Sequence, residues 1–207
     1  MWNLVISQLR KTHQSLITFD KDLAREVLSN ETRVNSFELQ IDLDCENIFA
    51  LFHPVAVDLR FVLAILKINN NLERTGDIAE GIARFIISAE KPFDATLQEV
   101  SQVILMYEEA ADMLVDVLKG FEQEDTKTAR GIFKRDEILD EINGKANQVI
   151  ANYLRNNPEN IEQSLYLLSI IRKLERVGDQ CKNIAEEIIF YVEAKVLKHK
   201  ETSEKKD

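Results

Sequence analysis

The chain has 207 residues, 45% hydrophobic and 30% charged, which is the composition of an ordinary globular protein with a buried core. Its formal net charge of −10 and pI near 4.9 argue against charge-driven binding of nucleic acid or an anionic membrane, and favour cationic or metal partners. With only six glycines and three prolines, the sequence predicts long uninterrupted helices and an all-α fold in which sheet is improbable.

The sequence also carries expectations about location and thiol chemistry. No apolar run reaches the roughly 18 residues of a membrane span, and the first residues lack the basic and apolar segments of a secretion signal. We therefore expect a cytoplasmic protein without direct membrane insertion. Cys45 and Cys181 have no neighbouring cysteine or histidine that would make a zinc site or a disulfide framework, so both are expected to be core thiols.

Apolar residues at helical spacing, separated by turn signals, predict six long helices. Asp94 and Asp125 are candidate N-caps, and Pro158 has a favourable first-turn position. Helices four to six repeat helices one to three, so the expected fold is two tandem three-helix bundles, residues 1–92 and 93–197, followed by a polar tail, 198–207. The predicted helices cover residues 2–29, 31–52, 55–89, 95–120, 126–154 and 158–197.

One short motif occurs twice at equivalent places in the repeat. Residues 73–77, Glu-Arg-Thr-Gly-Asp, recur at 175–179 as Glu-Arg-Val-Gly-Asp, and the Glu and Asp of each copy share one helix face. An acid pair precedes each copy at a distance that suits an antiparallel hairpin. We therefore expect four carboxylates to meet between the two helices of each half. They are Glu38, Asp42, Glu73 and Asp77 in the first half, and Asp136, Asp140, Glu175 and Asp179 in the second.

Four neighbouring carboxylates repel one another by roughly 1 to 4 kcal/mol per close pair, so something must neutralise them. The candidates are protons, the adjacent Arg74 and Arg176, or bound cations, and the mirrored arrangement favours metal. Oxygen ligands suit hard ions such as Mg²⁺, Mn²⁺, Ca²⁺ or Fe³⁺ better than they suit structural zinc. Glu80 is either a further ligand or the partner of Arg84.

The glycine in each copy of the motif, Gly76 or Gly178, lies inside a helix, where it costs about 1 kcal/mol relative to alanine. Its lack of a side chain allows close approach by the facing helix or by a metal–water cluster, and simple helix packing is an equal alternative.

The chain lacks recognisable catalytic machinery. His13, His53 and His199 are far apart and none belongs to the Glu-x-x-His pattern of helical di-iron proteins. No phosphate-binding glycine loop or nucleophile motif is present in the sequence. The leading interpretation is a non-enzymatic metal-binding regulator. The alternatives are a metal-dependent hydrolase or oxidase that uses open coordination positions, and a metal-storage or structural bundle.

Taken together, the motifs resemble the PhoU family of phosphate-signalling regulators over nearly the whole chain. The residues that carry the resemblance are 58–60, 66–68 and 72–77 in the first half and 174–179 and 183–186 in the second. The resemblance implies multinuclear metal clusters at the eight acidic positions, with iron as the first expectation and Mg, Mn or Zn as others. It also implies a homodimer that represses the phosphate-starvation response through contact with the phosphate ABC transporter and its sensor histidine kinase.

Two residues depart from the family pattern. Gly81 stands where the second half has Asn183, and Lys173 stands where an acid or amide is common. We expect Lys173 to place a cation near the second cluster, so that the two metal sites need not be equally occupied. The first helix is also expected to be short relative to the family.

Overall fold

The computed structural model describes residues 1–197, which form seven α-helices and no strand. The predicted polar tail, 198–207, lies outside the described residues. None of the described helices is both long and apolar enough to cross a membrane. The helices are α1 (Trp2–Thr18), α2 (Lys21–Phe52), α3 (Ala56–Ser88), α4 (Ala95–Ser101), α5 (Val103–Glu122), α6 (Thr126–Asn156) and α7 (Ile161–Glu193).

The long helices form the two bundles that the repeat predicts. Helices α1, α2 and α3 pack on one another, as do α5, α6 and α7, while the short α4 lies against α5 and α6. Each long helix buries one apolar face, and these faces join in a single core that runs through both bundles. The predicted all-α fold with tandem three-helix bundles is therefore confirmed.

The first two helices divide earlier than predicted. The break lies at Phe19, which adopts a left-handed backbone conformation with φ 55°, and Asp20 then caps α2 through the amides of Asp22 and Leu23. The predicted break at residues 29–30 falls inside α2, where the Ser29 and Asn30 side chains donate to the carbonyl of Glu26 within the helix. These two residues bond back to the preceding turn instead of ending the helix.

The predicted fourth and sixth helices also differ in detail. A left-handed residue, Gln102 with φ 56°, divides the fourth into α4 and α5, although no glycine or proline marks the position. Pro158 begins a short 3₁₀ turn, Pro158–Asn160, and α7 starts after it. Asp94 and Asp125 cap α4 and α6 as predicted, through Leu97 and through Lys127 and Thr128 respectively.

Helices α3 and α7 run antiparallel along the junction of the two bundles. Lys67 forms an ion pair of 2.9 Å with the buried Glu187. One turn along α3, Oδ1 of Asn71 accepts a hydrogen bond of 3.3 Å from the side-chain amide of Asn183. Position numbers therefore rise along α3 as they fall along α7. This arrangement relates the two halves by an approximate twofold axis and places both copies of the motif in the middle of the molecule.

Both cysteines are free and buried, as predicted. Burial and the nearby Asp136 raise the pKa of the Cys181 thiol, while burial, Asp42 and Asp44 raise that of Cys45. Raised pKa values keep both groups protonated at neutral pH, so they behave as small apolar side chains.

Candidate metal-binding site

Helices α6 and α7 bring all four predicted carboxylates of the second half together. We call Asp136, Asp140, Glu175 and Asp179 the second acidic site. Burial, followed by Asp179, Asp140 and Asp136, raises the pKa of Glu175, because each added negative charge disfavours ionisation of its neighbour. Burial also raises the pKa of Asp136, which is only 3% exposed.

The second acidic site depends on the close approach that the helical glycine allows. A Cβ added to Gly178 would lie 2.7 Å from Oδ1 of Asp136 and 3.2 Å from Cδ1 of Leu139. The neighbour of Gly178 is therefore the facing helix, which is one of the two explanations the sequence left open. Gly178 gives α6 the room to place Asp136 against α7.

Replacing Gly178 by Ala is expected to destabilise the protein, because the new methyl group would push against a buried carboxylate. Overpacking of this kind costs about 1–3 kcal/mol, which outweighs the gain of about 1 kcal/mol in helix propensity. Gly144→Ala in α6 is the matched control, since nothing lies within 4 Å of its added Cβ, and it should stabilise. Urea unfolding of both variants provides the comparison. Equal stability changes would show that Gly178 is not needed for packing.

In the first half, α2 and α3 bring together a different set. Glu38, Glu73 and Asp77 converge as predicted. Burial raises the pKa of Glu38, and Asp42 and then Asp77 raise it further. Burial also raises the pKa of Glu73, and Asp77 and then Glu38 raise it further. Asp42 does not join the others across the helix pair. Its carboxylate accepts a hydrogen bond of 2.9 Å from Asn69, one turn before Glu73 on α3.

Glu31 takes part in the first half although sequence reasoning did not identify it. Burial, then Asp77, Glu80 and Glu73, raise the pKa of Glu31 to about 7. Both of its oxygens are buried, and no N–H or O–H group of the described residues donates to them. Its spacing of seven residues from Glu38 places both on one face of α2 and was the available signal. We call Glu31, Glu38, Glu73 and Asp77 the first acidic site.

The two glycines show why the sites differ. Gly76 and Gly178 hold the same place in the repeat, but their nearest neighbours differ. A Cβ added to Gly76 would lie 3.1 Å from Cγ1 of Val34, whereas a Cβ added to Gly178 would lie nearest to Oδ1 of Asp136. Val34 is therefore the counterpart of Asp136, and Glu38 is the counterpart of Asp140. The pairing of Glu38 with Asp136 inferred from the sequence is shifted by one helical turn.

The two arginines of the motif make no direct contact with the carboxylates. Arg74 opposes the rise in the pKa of Glu73 through space. However, neither Arg74 nor Arg176 forms a hydrogen bond or an ion pair within residues 1–197. Together with Lys173 and Asp77, both line an open cleft of about 320 Å³ between α3 and α7.

A lysine lies near the carboxylates in each half, but only the lysine of the second half, Lys182, forms ion pairs with them. Lys173 lies beside the first site, which corrects the expectation that it would lie by the second. Its ammonium group fills the space left by Gly81, where an added Cβ would collide with it. Lys173 and Gly81, the two residues that depart from the family pattern, are therefore in contact with each other. The equivalent contact across the twofold axis is Asn71 with Asn183. In the second site, Lys182 contacts Asp136 and lies 3.2 Å from Asp179.

The donor set of the first acidic site fits a hard cation. Its four carboxylates supply only oxygen, form no ion pair within the described residues, and lie open to solvent at Asp77. As the side chains are placed, no three Asp, Glu, His or Cys residues within 1–197 are grouped closely enough to hold one ion. Binding would therefore require rotation of these side chains about their χ angles.

The fold and the two acidic sites define a class of tandem-repeat helical bundles with one cluster of acidic residues in each half. The family model described as the PhoU domain matches the chain twice, at residues 1–86 and 103–188. The two matches start 102 residues apart, the same spacing that relates Gly76 to Gly178. The chain belongs to the PhoU family.

Named relatives and solved structures extend this finding. The phosphate-specific transport system accessory protein PhoU of Edwardsiella tarda is 34% identical over 96% of this chain and 81% of its own length. The PhoU homolog 1 of that system in Thermotoga maritima is 32% identical over 94% of this chain and 84% of its own. The crystal structure of PhoU from Pseudomonas aeruginosa superposes with a TM-score of 0.86 at 30% identity, over 94% of this chain and 93% of that one.

Proposed function

We propose that this chain is a cytoplasmic, non-enzymatic metal-binding regulator that restrains phosphate uptake and the phosphate-starvation response. Family membership over both halves supports a regulatory role in phosphate transport, because relatives that match most of the chain are named accessory proteins of the phosphate-specific transport system. In this proposal the protein acts by contact with the phosphate ABC transporter and its sensor histidine kinase.

The observation that carries the metal-binding part is the unpaired charge of the first acidic site. Burial and negative neighbours raise the pKa of Glu31, Glu38 and Glu73, and no cation of the described residues forms an ion pair with these carboxylates or with Asp77. A bound hard cation would replace this repulsion with attraction. By resemblance the metal is an iron cluster, and Mg²⁺ or Mn²⁺ would suit the same oxygen donors. Zinc, which prefers nitrogen and sulfur ligands, suits them less well.

The surface that we propose for contact with the transporter is the end of the α2–α3 hairpin. Four large apolar side chains there are more than half exposed: Leu51, Phe52, Val55 and Val57, which we call the apolar tip. Clustered exposed apolar residues mark interaction surfaces in soluble proteins. A protein partner fits the tip better than an anionic bilayer does, because the chain carries a net charge of −10.

Deletion of the gene is expected to leave starvation-induced phosphatase active in phosphate-rich medium, because the repressing contact is lost. Wild-type protein should restore repression. A variant carrying Leu51→Ser, Phe52→Ser and Val57→Ser should fold but not restore it. The matched control is Ile161→Ser with Leu165→Ser, which removes two similarly exposed apolar side chains from the start of α7.

Phosphatase assays, with pull-downs of the transporter and the kinase, test both parts of this proposal. Phosphatase that stays off after deletion would contradict the regulatory role. Full repression by the tip variant would contradict the tip as the contact surface.

A further inference from the structure

The two acidic sites differ in one built-in charge. We infer that Lys182 is a resident counter-ion of the second acidic site, so that metal binds at the first site and is excluded from the second. This inference rests on the metal-binding part of the proposed function, and it names the chemical reason for unequal occupancy.

The contacts of Lys182 place an ammonium group between two of the four carboxylates. Its Nζ donates to Oδ2 of Asp136 on α6 and lies 3.2 Å from Oδ1 of Asp179, on the preceding turn of α7. Asp136 is almost fully buried, and its other oxygen, Oδ1, faces Gly178 with no hydrogen-bond donor among the described residues. A cation entering this site must therefore displace Lys182 from its only described partners.

The first acidic site has a carboxylate at the equivalent position. Glu80 lies three residues after Asp77, as Lys182 lies three residues after Asp179, so the repeat exchanges a negative for a positive side chain. Glu80 pairs outward with Arg84 at 2.6 Å. The nearest lysine, Lys173, forms no ion pair within 4 Å inside residues 1–197. The first site therefore has an excess of negative charge, and no ammonium group of residues 1–197 forms an ion pair with its carboxylates.

Displacement of Lys182 is unfavourable for a second reason. A cation that enters the site must exchange the existing contact between Lys182 and the buried Asp136 for a new one, so it gains only the difference between the two interactions. The single positive charge of Lys182 offsets one of the four negative charges of the second site, and it is shared between Asp136 and Asp179. The second site therefore attracts a divalent ion less strongly than the four unpaired carboxylates of the first site.

The test is binding of Mn²⁺ alone at neutral pH, measured by equilibrium dialysis with detection of free Mn²⁺ by electron paramagnetic resonance. Wild-type protein should show one set of sites. Glu73→Gln with Asp77→Asn should remove that set, while Glu175→Gln with Asp179→Asn should leave it intact. Lys182→Glu, which reproduces the charge of Glu80, should add a second set of bound Mn²⁺.

Adding Asp179→Asn to the Lys182→Glu variant should abolish the second set, which assigns it to the second site. Lys182→Gln removes the ammonium group without adding charge. It should also gain Mn²⁺ binding, and circular dichroism checks that each variant is folded. If Lys182→Glu does not fold, Lys182→Gln carries the same comparison.

The outcomes separate this inference from the proposed metal-binding function. Wild-type protein that fills both sites equally would overturn the role of Lys182 and leave metal binding standing. A wild type without Mn²⁺ and a Lys182→Glu variant that gains it would support the role of Lys182 and overturn metal binding at the first site. Absence of Mn²⁺ from wild type and both Lys182 variants would overturn both.

Discussion

Replacing Glu31 by Gln is expected to stabilise the metal-free protein at pH 8, because it removes a negative charge from a crowded site. The pKa of Glu31 is raised from an ordinary 4.5 to about 7, with burial as the largest cause and Asp77 as the next. At about 1.4 kcal/mol per pKa unit the penalty could reach roughly 3 kcal/mol. Partial solvent exposure of the site reduces it, and we expect roughly 1–2 kcal/mol.

The pH window follows from the direction of the shift. Folded protein holds the Glu31 proton more tightly than unfolded protein, so folding is opposed increasingly as the pH rises from 4.5 to about 7, and the full penalty applies above that. In chelator, wild-type protein should therefore lose melting temperature over this window, and Glu31→Gln should lose less.

Thermal melts from pH 5 to pH 8 measure this difference. The control is Glu46→Gln, an exposed position on the same helix, which should follow the wild-type curve. Identical pH dependence in wild-type protein and Glu31→Gln would show that Glu31 ionises freely in the folded state.

Saturating Mn²⁺ is expected to raise the melting temperature of wild-type protein and to leave the Glu73→Gln/Asp77→Asn variant unchanged. A ligand that binds only the folded state stabilises it by about 2.7 kcal/mol at one hundred times its dissociation constant. For a chain of this length that corresponds to roughly 5–10 °C. The variant should remain helical without metal, because amides are only mildly unfavourable in a helix.

The matched control for that experiment is the corresponding change in the second half, Glu175→Gln with Asp179→Asn. It removes the same two charges from a site that Lys182 already neutralises in part, so its response to Mn²⁺ should equal that of wild-type protein. Loss of the response in both double variants, or in neither, would contradict the first acidic site as the place where metal binds.

The helices and the repeat could be predicted because they depend on local periodicity and on residues that recur. The helix breaks at Phe19 and Gln102 could not be predicted, because both residues adopt a left-handed backbone conformation that residues of their type rarely adopt. Tertiary packing fixes such residues, whereas local sequence signals them mainly through glycine or asparagine.

Which residues form the first acidic site depends on the register of α2 against α3. The register predicted from the sequence differs from the observed one by one helical turn. The hairpin turns at residues 53–55, and Val34 lies opposite Gly76. This turn brings Glu31 to Asp77 and moves Asp42 to Asn69. The two copies of the motif, when aligned, show that Lys182 stands at the position of Glu80. The effect of this difference on the second site could not be predicted from the sequence, because it depends on the contact of Lys182 on α7 with Asp136 on α6.

Elemental analysis of protein purified without chelator tests most directly the claim that this PhoU family member binds metal through the first acidic site. We expect a stoichiometric metal in wild-type protein and in Glu175→Gln/Asp179→Asn, and its loss from Glu73→Gln/Asp77→Asn. Wild-type protein with no metal above background, or a Glu73→Gln/Asp77→Asn variant that retains the full content, would contradict it.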